Sequence, residues 1–404
     1  MRNKSDKKKP LVPRLRFPEF REAGAWEVKR LGKLVETITP PKKLQTTEYL
    51  PSGQFPIIDQ SPNDVCGWAD DETALINGEF PLVIFGDHTC VVKLVEGPFA
   101  QGADGIKILS PTSEVDARFL FLSLQADPIE QKGYKRHFST LKEKLIPFPP
   151  KDTDEQQKIA HCLSSLDEVI GLQAKKVQAL KQHKKGLMQQ LFPAEGETTP
   201  RLRFPEFREA GAWEVRRLGE IGKISKGKGI SKSDIKPNGA LPCIRYGELY
   251  THYGEVIRDV VSFTDANPGN LVLSEENDVI IPASGETKED IATASCVSVK
   301  GVALGGDLNI FYSPMNGMFL AYYIRGNLKF EISKVAQGNS VVHLYTTQLE
   351  KLKLAVPPYP KEQQKIAHCL SSLDEVIGLE SDKLDALKNL KKGLMQQLFP
   401  QEVA

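Results

Sequence analysis

Few stretches of this sequence offer the converging acids, bases or metal ligands that catalysis needs. Asp278, Glu286 and Lys288 could form a nuclease pattern, because two acids and a lysine can hold Mg²⁺ and activate water. That spacing arises often by chance. Val356-Pro-Pro-Tyr359 approaches the Asn/Asp-Pro-Pro-Tyr/Phe loop that orients an adenine amino group in a methyltransferase, but valine stands where the polar residue is needed. Those four residues read better as a hinge. No Gly-x-x-x-x-Gly-Lys-Ser/Thr phosphate loop occurs, and no glycine-rich cofactor loop follows a strand, so no ATP hydrolysis by the chain itself is expected. His161-Cys162 recurs as His368-Cys369, yet adjacent helix residues do not face one another, so packing or docking is favoured over metal. The six cysteines (Cys66, Cys90, Cys162, Cys243, Cys296, Cys369) include no Cys-x-x-Cys pair, which argues against zinc and disulfides and fits a reducing cytoplasm.

The charged residues suit contact with nucleic acid better than catalysis. Lys132, Lys135, Arg136, His137, Lys142 and Lys144 crowd one stretch, broken only by Glu143. Lys223, Lys226, Lys228, Lys232 and Lys236 share a second, glycine-containing stretch. Lysines on loops suit phosphates, while Arg, Asn, Ser and His can reach base edges in the major groove. The DNA-contact candidates are Lys135, Arg136, His137, Ser139 and Thr140 in the first half of the chain. In the second half they are Lys226, Lys228, Lys232, Arg245, Asn339, Ser340, His343 and Tyr345. Any one of these reads equally well as an ordinary surface residue; the clusters carry the reading. A formal net charge of +1 neither demands nor excludes such a partner.

Whatever these residues do, a duplicated framework must position them. The stretch from Arg14 to Gly32 recurs from Arg201 to Gly219, with 18 of 19 positions identical. Glu155 to Pro193 recurs at Glu362 to Pro400, with 32 of 39 identical. The offsets, 187 and 207, leave the second intervening region 20 residues longer. Residues 33–154 and 220–361 show little mutual resemblance. Such a period means a duplicated domain, since solenoid and propeller units are far shorter. A chain of 404 residues with 40% hydrophobic and 26% charged content is an ordinary globular protein of two or three domains. It has no apolar run of membrane-spanning length, and its basic first nine residues are followed by no apolar core of a secretory signal.

The second repeated block predicts helices over Glu155–Leu191 and Glu362–Leu398. Ile159, Leu163, Leu166, Ile170, Val177, Leu180, Leu187 and Leu191 recur at alternating spacings of four and three, interrupted by Gln173 and Lys184. The second seam is Ile366, Leu370, Leu373, Ile377, Leu384, Leu387, Leu394 and Leu398, interrupted by Glu380 and Lys391. An average spacing of 3.5 is that of a coiled coil. Asp152 or Asp154 can cap the first helix, and Phe192-Pro193 and Phe399-Pro400 stop the two. Intramolecular antiparallel pairing is expected, giving a rod of about 55 Å at 1.5 Å per residue and a pseudo-two-fold axis. The alternative is a parallel coiled coil between two chains. The intervening regions mix short strands (Pro81–Phe85, Cys90–Val95, Leu241–Arg245, Asp278–Ile281, Cys296–Val299) with helices at Arg118–Gln125 and Gly317–Lys329. That mixture predicts an α+β class with mixed, mostly antiparallel sheets.

Glu155-Gln-Gln-Lys-Ile-Ala160 after Pro149-Pro150, its copy at 362–367 after Pro357-Pro358, and the paired Lys-Lys-Gly-Leu-Met-Gln-Gln-Leu-Phe stretches at 184–192 and 391–399 occur in the same order twice. With Trp26, Trp213 and Gly338-Asn-Ser-Val-Val-His343, they make nearly the whole chain resemble specificity subunits of bacterial Type I restriction-modification systems. The resemblance implies two target-recognition domains, at 25–150 and 213–358, each reading half of a split double-stranded DNA site. It implies spacer helices at 151–193 and 359–400 that fix the gap, joined by a linker at 194–212 and preceded by an N-terminal extension at 1–24. It further implies a cytoplasmic scaffold without catalysis or cofactor of its own. Its partners would be methyltransferase subunits, two in number, and restriction/translocase subunits, which would bring S-adenosylmethionine, ATP and Mg²⁺. The rival readings are a self-contained methyltransferase or nuclease and a coiled-coil adaptor.

Overall fold

The computed structural model describes residues 11–400 apart from 104, 134 and 339–341, so the candidates Asn339 and Ser340 lie outside the described residues. The chain forms two compact units, Met1–Ala174 with Asp382–Ala404 and Lys175–Ser381.

The first α+β domain runs β1 (Glu27–Arg30), α1 (Leu31–Leu34), β2 (Val35–Ile38), β3 (Phe55–Ile58), β4 (Gly67–Ala69), β5 (Leu75–Ile76) and β6 (Leu82–Gly86). It continues through β7 (Val92–Val95), β8 (Phe99–Gln101), β9 (Ile106–Pro111), α2 (Ala117–Ala126), α3 (Phe138–Glu143) and β10 (Leu145–Phe148) to the long α4 (Glu155–Leu191). One sheet has the order β2-β9-β6-β7, a second β4-β3-β8-β5, and β1 pairs with β10. The uninterrupted apolar run of β6 is buried on both faces and lies inside its sheet, as such a run requires. Asp116 starts α2 by accepting hydrogen bonds from the amides of Arg118 (2.9 Å) and Phe119 (3.0 Å).

The second domain begins with β11 (Glu214–Arg217), α5 (Leu218–Ile221), β12 (Lys223–Lys226), β13 (Leu241–Ile244), α6 (Glu248–Thr251), β14 (Val256–Ile257), β15 (Ser262–Thr264) and β16 (Val272–Leu273). There follow β17 (Asp278–Pro282), β18 (Ser284–Gly285), α7 (Lys288–Ile291), β19 (Ser295–Val297), β20 (Ala303–Leu304), β21 (Leu308–Tyr312), α8 (Gly317–Asn327) and α9 (Lys329–Val335). The last elements are β22 (Val342–His343), α10 (Thr346–Leu349), β23 (Lys353–Val356) and the long α11 (Pro360–Leu398). Its sheets, β12-β21-β17-β19-β14 and β15-β13-β20-β16, match those of the first domain strand for strand, with β14 added at one edge. Two regions with little sequence in common thus share one topology. Most strand pairs are antiparallel; β3–β8, β13–β20 and β14–β19 are parallel.

Helix α4 spans the residues expected, while α11 starts two residues early because Pro360 takes its first position, where the missing N–H costs nothing. No Asp152 or Asp154 side chain caps α4; Asp154 has left-handed backbone geometry and its carbonyl accepts from Lys158 N at 3.0 Å. In the first unit, Ile159 and Leu163 share a core with Leu398, and Asp167 pairs with Lys391 at 2.6 Å. In the second, Ile366 and Leu370 share a core with Leu191, and Lys184 pairs with Asp374 at 2.6 Å and Lys176 with Glu380. Within each unit the helices therefore run antiparallel, each meeting the other within one chain. Every seam position is buried or half-buried, and two of its polar interruptions, Lys184 and Lys391, are the lysines of those ion pairs.

Each unit also repeats two junction contacts. Phe399 lies 6.4 Å from Trp26 and 5.4 Å from Phe119, as Phe192 lies 6.5 Å from Trp213 and 5.5 Å from Phe319. Arg16 is buried on Glu155 and Arg203 on Glu362, each guanidinium also donating to a glycine carbonyl (Gly24 or Gly211) at 2.6 Å.

Candidate nucleic-acid interface

In the first domain the irregular segments converge on the turn between β8 and β9. Gly102 N donates to Ile58 O (2.9 Å), Asp87 N to Gly105 O (2.6 Å), and Leu44 N to Gln101 O (2.9 Å). Gly105 adopts φ +110, a backbone conformation that favours glycine, and lies against the end of the Gln60 side chain. Thr89 Oγ1 donates to Gln60 O (2.7 Å) and Gln131 Nε2 to His88 O (2.9 Å), which ties the 59–63, 86–90 and 131–137 segments together. From beneath, the buried Lys93 ammonium donates to Asp59 O (2.8 Å) and Asn63 O (2.5 Å). Burial lowers the Lys93 pKa, and Asp59 opposes the shift. Sequence reasoning passed over Lys93, because a lysine inside a strand carries no mark of being buried.

The buried Asp87 carboxylate organises the basic segment, accepting from the amides of His137 (2.9 Å) and Phe138 (2.8 Å). His137 Nε2 accepts from Lys132 N (3.1 Å), which leaves the ring proton on Nδ1, 3.2 Å from Asp87 O. His137 is 2% exposed with both ring nitrogens engaged. The expectation that it reads a base is therefore corrected: it braces the loop. Lys132, Lys135, Arg136, Ser139 and Thr140 are exposed around it. Lys144 leaves the cluster, since its ammonium is bound to Asp127.

The second domain repeats the arrangement around the turn at 305–307. Gly305 N donates to Ile244 O (2.9 Å), Gly306 N to Gly229 O (2.8 Å), Ala283 N to Asp307 O (2.8 Å), and Leu344 N to Ala283 O (3.0 Å). A Cβ on Gly227 would meet Gly305 O at 2.0 Å, so the 226–230 segment lies flat on this turn. Lys226, Lys228 and Lys232 are exposed. β18 pairs with β22, placing Ser284 Oγ 3.2 Å from His343 Nδ1, and the exposed His343 and Tyr345 rings lie 6.4 Å apart. Arg245 is placed differently from His343 and Tyr345. It is half-buried, with Nη2 on the buried Glu248 carboxylate (3.2 Å), which also accepts from Arg245 N (3.0 Å) and Ser262 Oγ (2.6 Å). In this arrangement it holds the β13 loop through that carboxylate.

The nuclease alternative does not assemble. Asp278 opens β17 and is buried, which raises its pKa, whereas Glu286 follows the other end of that strand. Five strand residues at about 3.3 Å each separate the two by well over the reach of one ion. Among the described residues no group of three or more His, Cys, Asp or Glu side chains could hold a metal ion. Val356-Pro-Pro-Tyr359 joins β23 to α11, as a hinge should.

The two copies of this geometry coincide with two matches to one family model, the type I restriction modification DNA specificity domain, over residues 24–182 and 211–389. The chain belongs to that family. Membership makes its two α+β domains the DNA-recognition domains of a specificity subunit. The chain is 25% identical to the type I restriction enzyme MjaVIII specificity subunit of Methanocaldococcus jannaschii, across 95% of this chain and 93% of that one. In fold it resembles the S subunit of a type I restriction-modification system from M. genitalium, with TM-score 0.66 and 17% identity, covering 97% of this chain and all of that one. It also resembles a chain solved in work on complex assembly and conformational transition of the type I R-M system (TM-score 0.51, 18% identity, 94% and 98% covered). Among the described residues no helix of this specificity subunit is long and apolar enough to cross a membrane.

Proposed function

We propose that each recognition domain reads one half of a bipartite duplex site, and that α4 and α11 set the gap between the halves. The observation that carries this reading is the repeated loop cluster: one backbone scaffold, around the turns at 102–105 and 305–307, bearing different exposed side chains. A shared scaffold with different readers suits two different half-sites at a constant separation. In this reading Lys135, Lys226, Lys228 and Lys232 contact phosphates, while Arg136, Ser139, Thr140, His343 and Tyr345 reach base edges.

The chain supplies no chemistry in this reading. Methyltransferase subunits bring S-adenosylmethionine, and restriction subunits bring ATP and Mg²⁺. A site for two like partners is supported by apolar side chains left exposed at equivalent places on the helices, Val169 (47%) and Leu172 (66%), then Val376 (42%) and Leu379 (69%). Apolar residues in solvent at repeated positions fit docking of one partner per copy. The free cysteines suit the cytoplasm.

Selection from a DNA library with this chain and modification subunits tests the reading. Two unlike half-sites at one separation are expected, with binding that weakens steeply as salt rises. A single undivided site would overturn it, and so would turnover by the chain alone with Mg²⁺ or S-adenosylmethionine.

A further inference from the structure

The two recognition domains are not attached to their helices in the same way. Much of what the second adds lies between β13 and β15, where α6 and β14 occupy residues 245–261; the corresponding β3–β4 connection is only residues 59–66. Strand β14 extends the sheet through Cys296 N to Glu255 O at 2.8 Å and Ser298 N to Ile257 O at 2.9 Å. This carries Glu255 and Arg258 to the helices. Glu255 Oε2 lies 2.8 Å from Lys184 Nζ on α4, and both side chains are 13% exposed. Lys184 also pairs with Asp374 of α11, which accepts from Tyr322 OH of α8 at 2.6 Å. Arg325 of α8 lies 3.8 Å from Glu255 and donates to Leu249 O (2.8 Å) and Tyr253 O (3.2 Å) in the added segment. Arg258 pairs with Glu375 at 3.0 Å.

The first unit has the equivalent helix-to-helix pair, Asp167 with Lys391, while its β3–β4 connection carries no element corresponding to α6 or β14 among the described residues. Aligning the N-caps Asp116 and Asn316 puts Leu122 where α8 has Tyr322, and Gln125 where it has Arg325. Both domains share apolar packing and the polar contacts at the start of their helices, Arg16–Glu155 and Asp116 N on Gln156 in the first, Arg203–Glu362 and Asn316 N on Gln363 in the second. The second is held in addition by charge pairs of restricted geometry, which specify one arrangement more than they add net stability.

We propose that the segment carrying α6 and β14 is a strut that fixes the angle of the second recognition domain on α4 and α11, and so narrows the range of gaps the protein accepts between half-sites. This rests on the reading that the helices set the gap. One extra base pair moves a half-site by about 3.4 Å and turns it by roughly 34°. A head free to tilt follows such a change, and a strutted head does not.

The test uses the complex of this chain with modification subunits and duplexes carrying its two half-sites at gaps one base pair shorter, equal and longer. For Glu255→Gln, the preference for the correct gap should fall about tenfold, equivalent to about 1.4 kcal/mol, while the sequence of each half-site stays the same. Lys184→Met, which puts an apolar side chain at that seam position, should behave alike and decides the matter should Glu255→Gln fail to fold. Lys391→Met, which breaks the matching pair where no strut exists, should leave the preference as it was. An unchanged preference in folded Glu255→Gln or Lys184→Met overturns the strut, as does an equal loss in Lys391→Met. A wild-type complex indifferent to the gap sinks the bipartite reading itself, and the strut with it.

Discussion

The Arg16 guanidinium grips the Glu155 carboxylate 139 residues away with two prongs, Nε at 2.8 Å and Nη2 at 2.6 Å. Glu155 is fully buried, and this guanidinium is the cation that faces it. Arg16→Met strands that carboxylate, and urea unfolding should show a loss of about 3–5 kcal/mol. Arg203→Met should do the same through Glu362. A loss below about 1 kcal/mol would mean that the carboxylate finds another partner instead.

His137 and Arg136 are neighbours with different duties, and their variants should separate. His137→Ala removes a buried ring and leaves Lys132 N without its acceptor, so stability should fall by about 1–3 kcal/mol and binding of the first half-site should weaken with it. Arg136→Ala should leave the unfolding midpoint in place while relaxing one position of the site or reducing its salt dependence. Thermal unfolding beside binding titrations gives both answers. Equal destabilisation by the two would contradict the assignment.

His343 and Tyr345 stand on one loop of the second domain. Alanine at either should cost about 1–3 kcal/mol on the cognate second half-site and relax a base position there, with the first half-site untouched. Alanine at Lys228 or Lys232 should instead weaken every sequence alike and reduce the salt slope by about 0.9 per lost phosphate contact. Competition titrations against substituted sites distinguish the two patterns.

Deleting Gln173–Ala179 together with Glu380–Ala386 removes one heptad from each helix, about 10 Å at 1.5 Å per residue. Selection should then return a gap roughly three base pairs shorter at 3.4 Å each, or no site at all. The original gap would show that the helices are not the measure.

What could be read in the sequence was whatever repeats or has a period. The seams, the hinge at 356–359 and the ends of α4 follow from spacing and proline, and β6 and α2 stand out as unbroken or helically spaced apolar runs. The roles of His137 and Arg245 were not legible, because their neighbours Asp87 and Glu248 bury them, and burial is decided by the fold. The common topology of the two domains was hidden for a related reason. Its strands are two to six residues long, and pairs such as Ile57-Ile58 and Cys243-Ile244 share only an apolar character. The 20-residue excess was visible as a length, but its division among several connections, nine of them in the segment that sets Glu255 beside Lys184, was not.

The ring of Phe399 belongs to the core of Trp26 and Phe119, so the first domain is completed by the end of α11 and the residue that follows it. During synthesis that domain must therefore wait, with its helix-facing apolar surface uncovered, until the whole of α11 has left the ribosome. The second domain, whose Phe192 is made before it, has no such delay. A nonsense mutation late in α11 should accordingly unfold the earlier half of the protein and spare the later one.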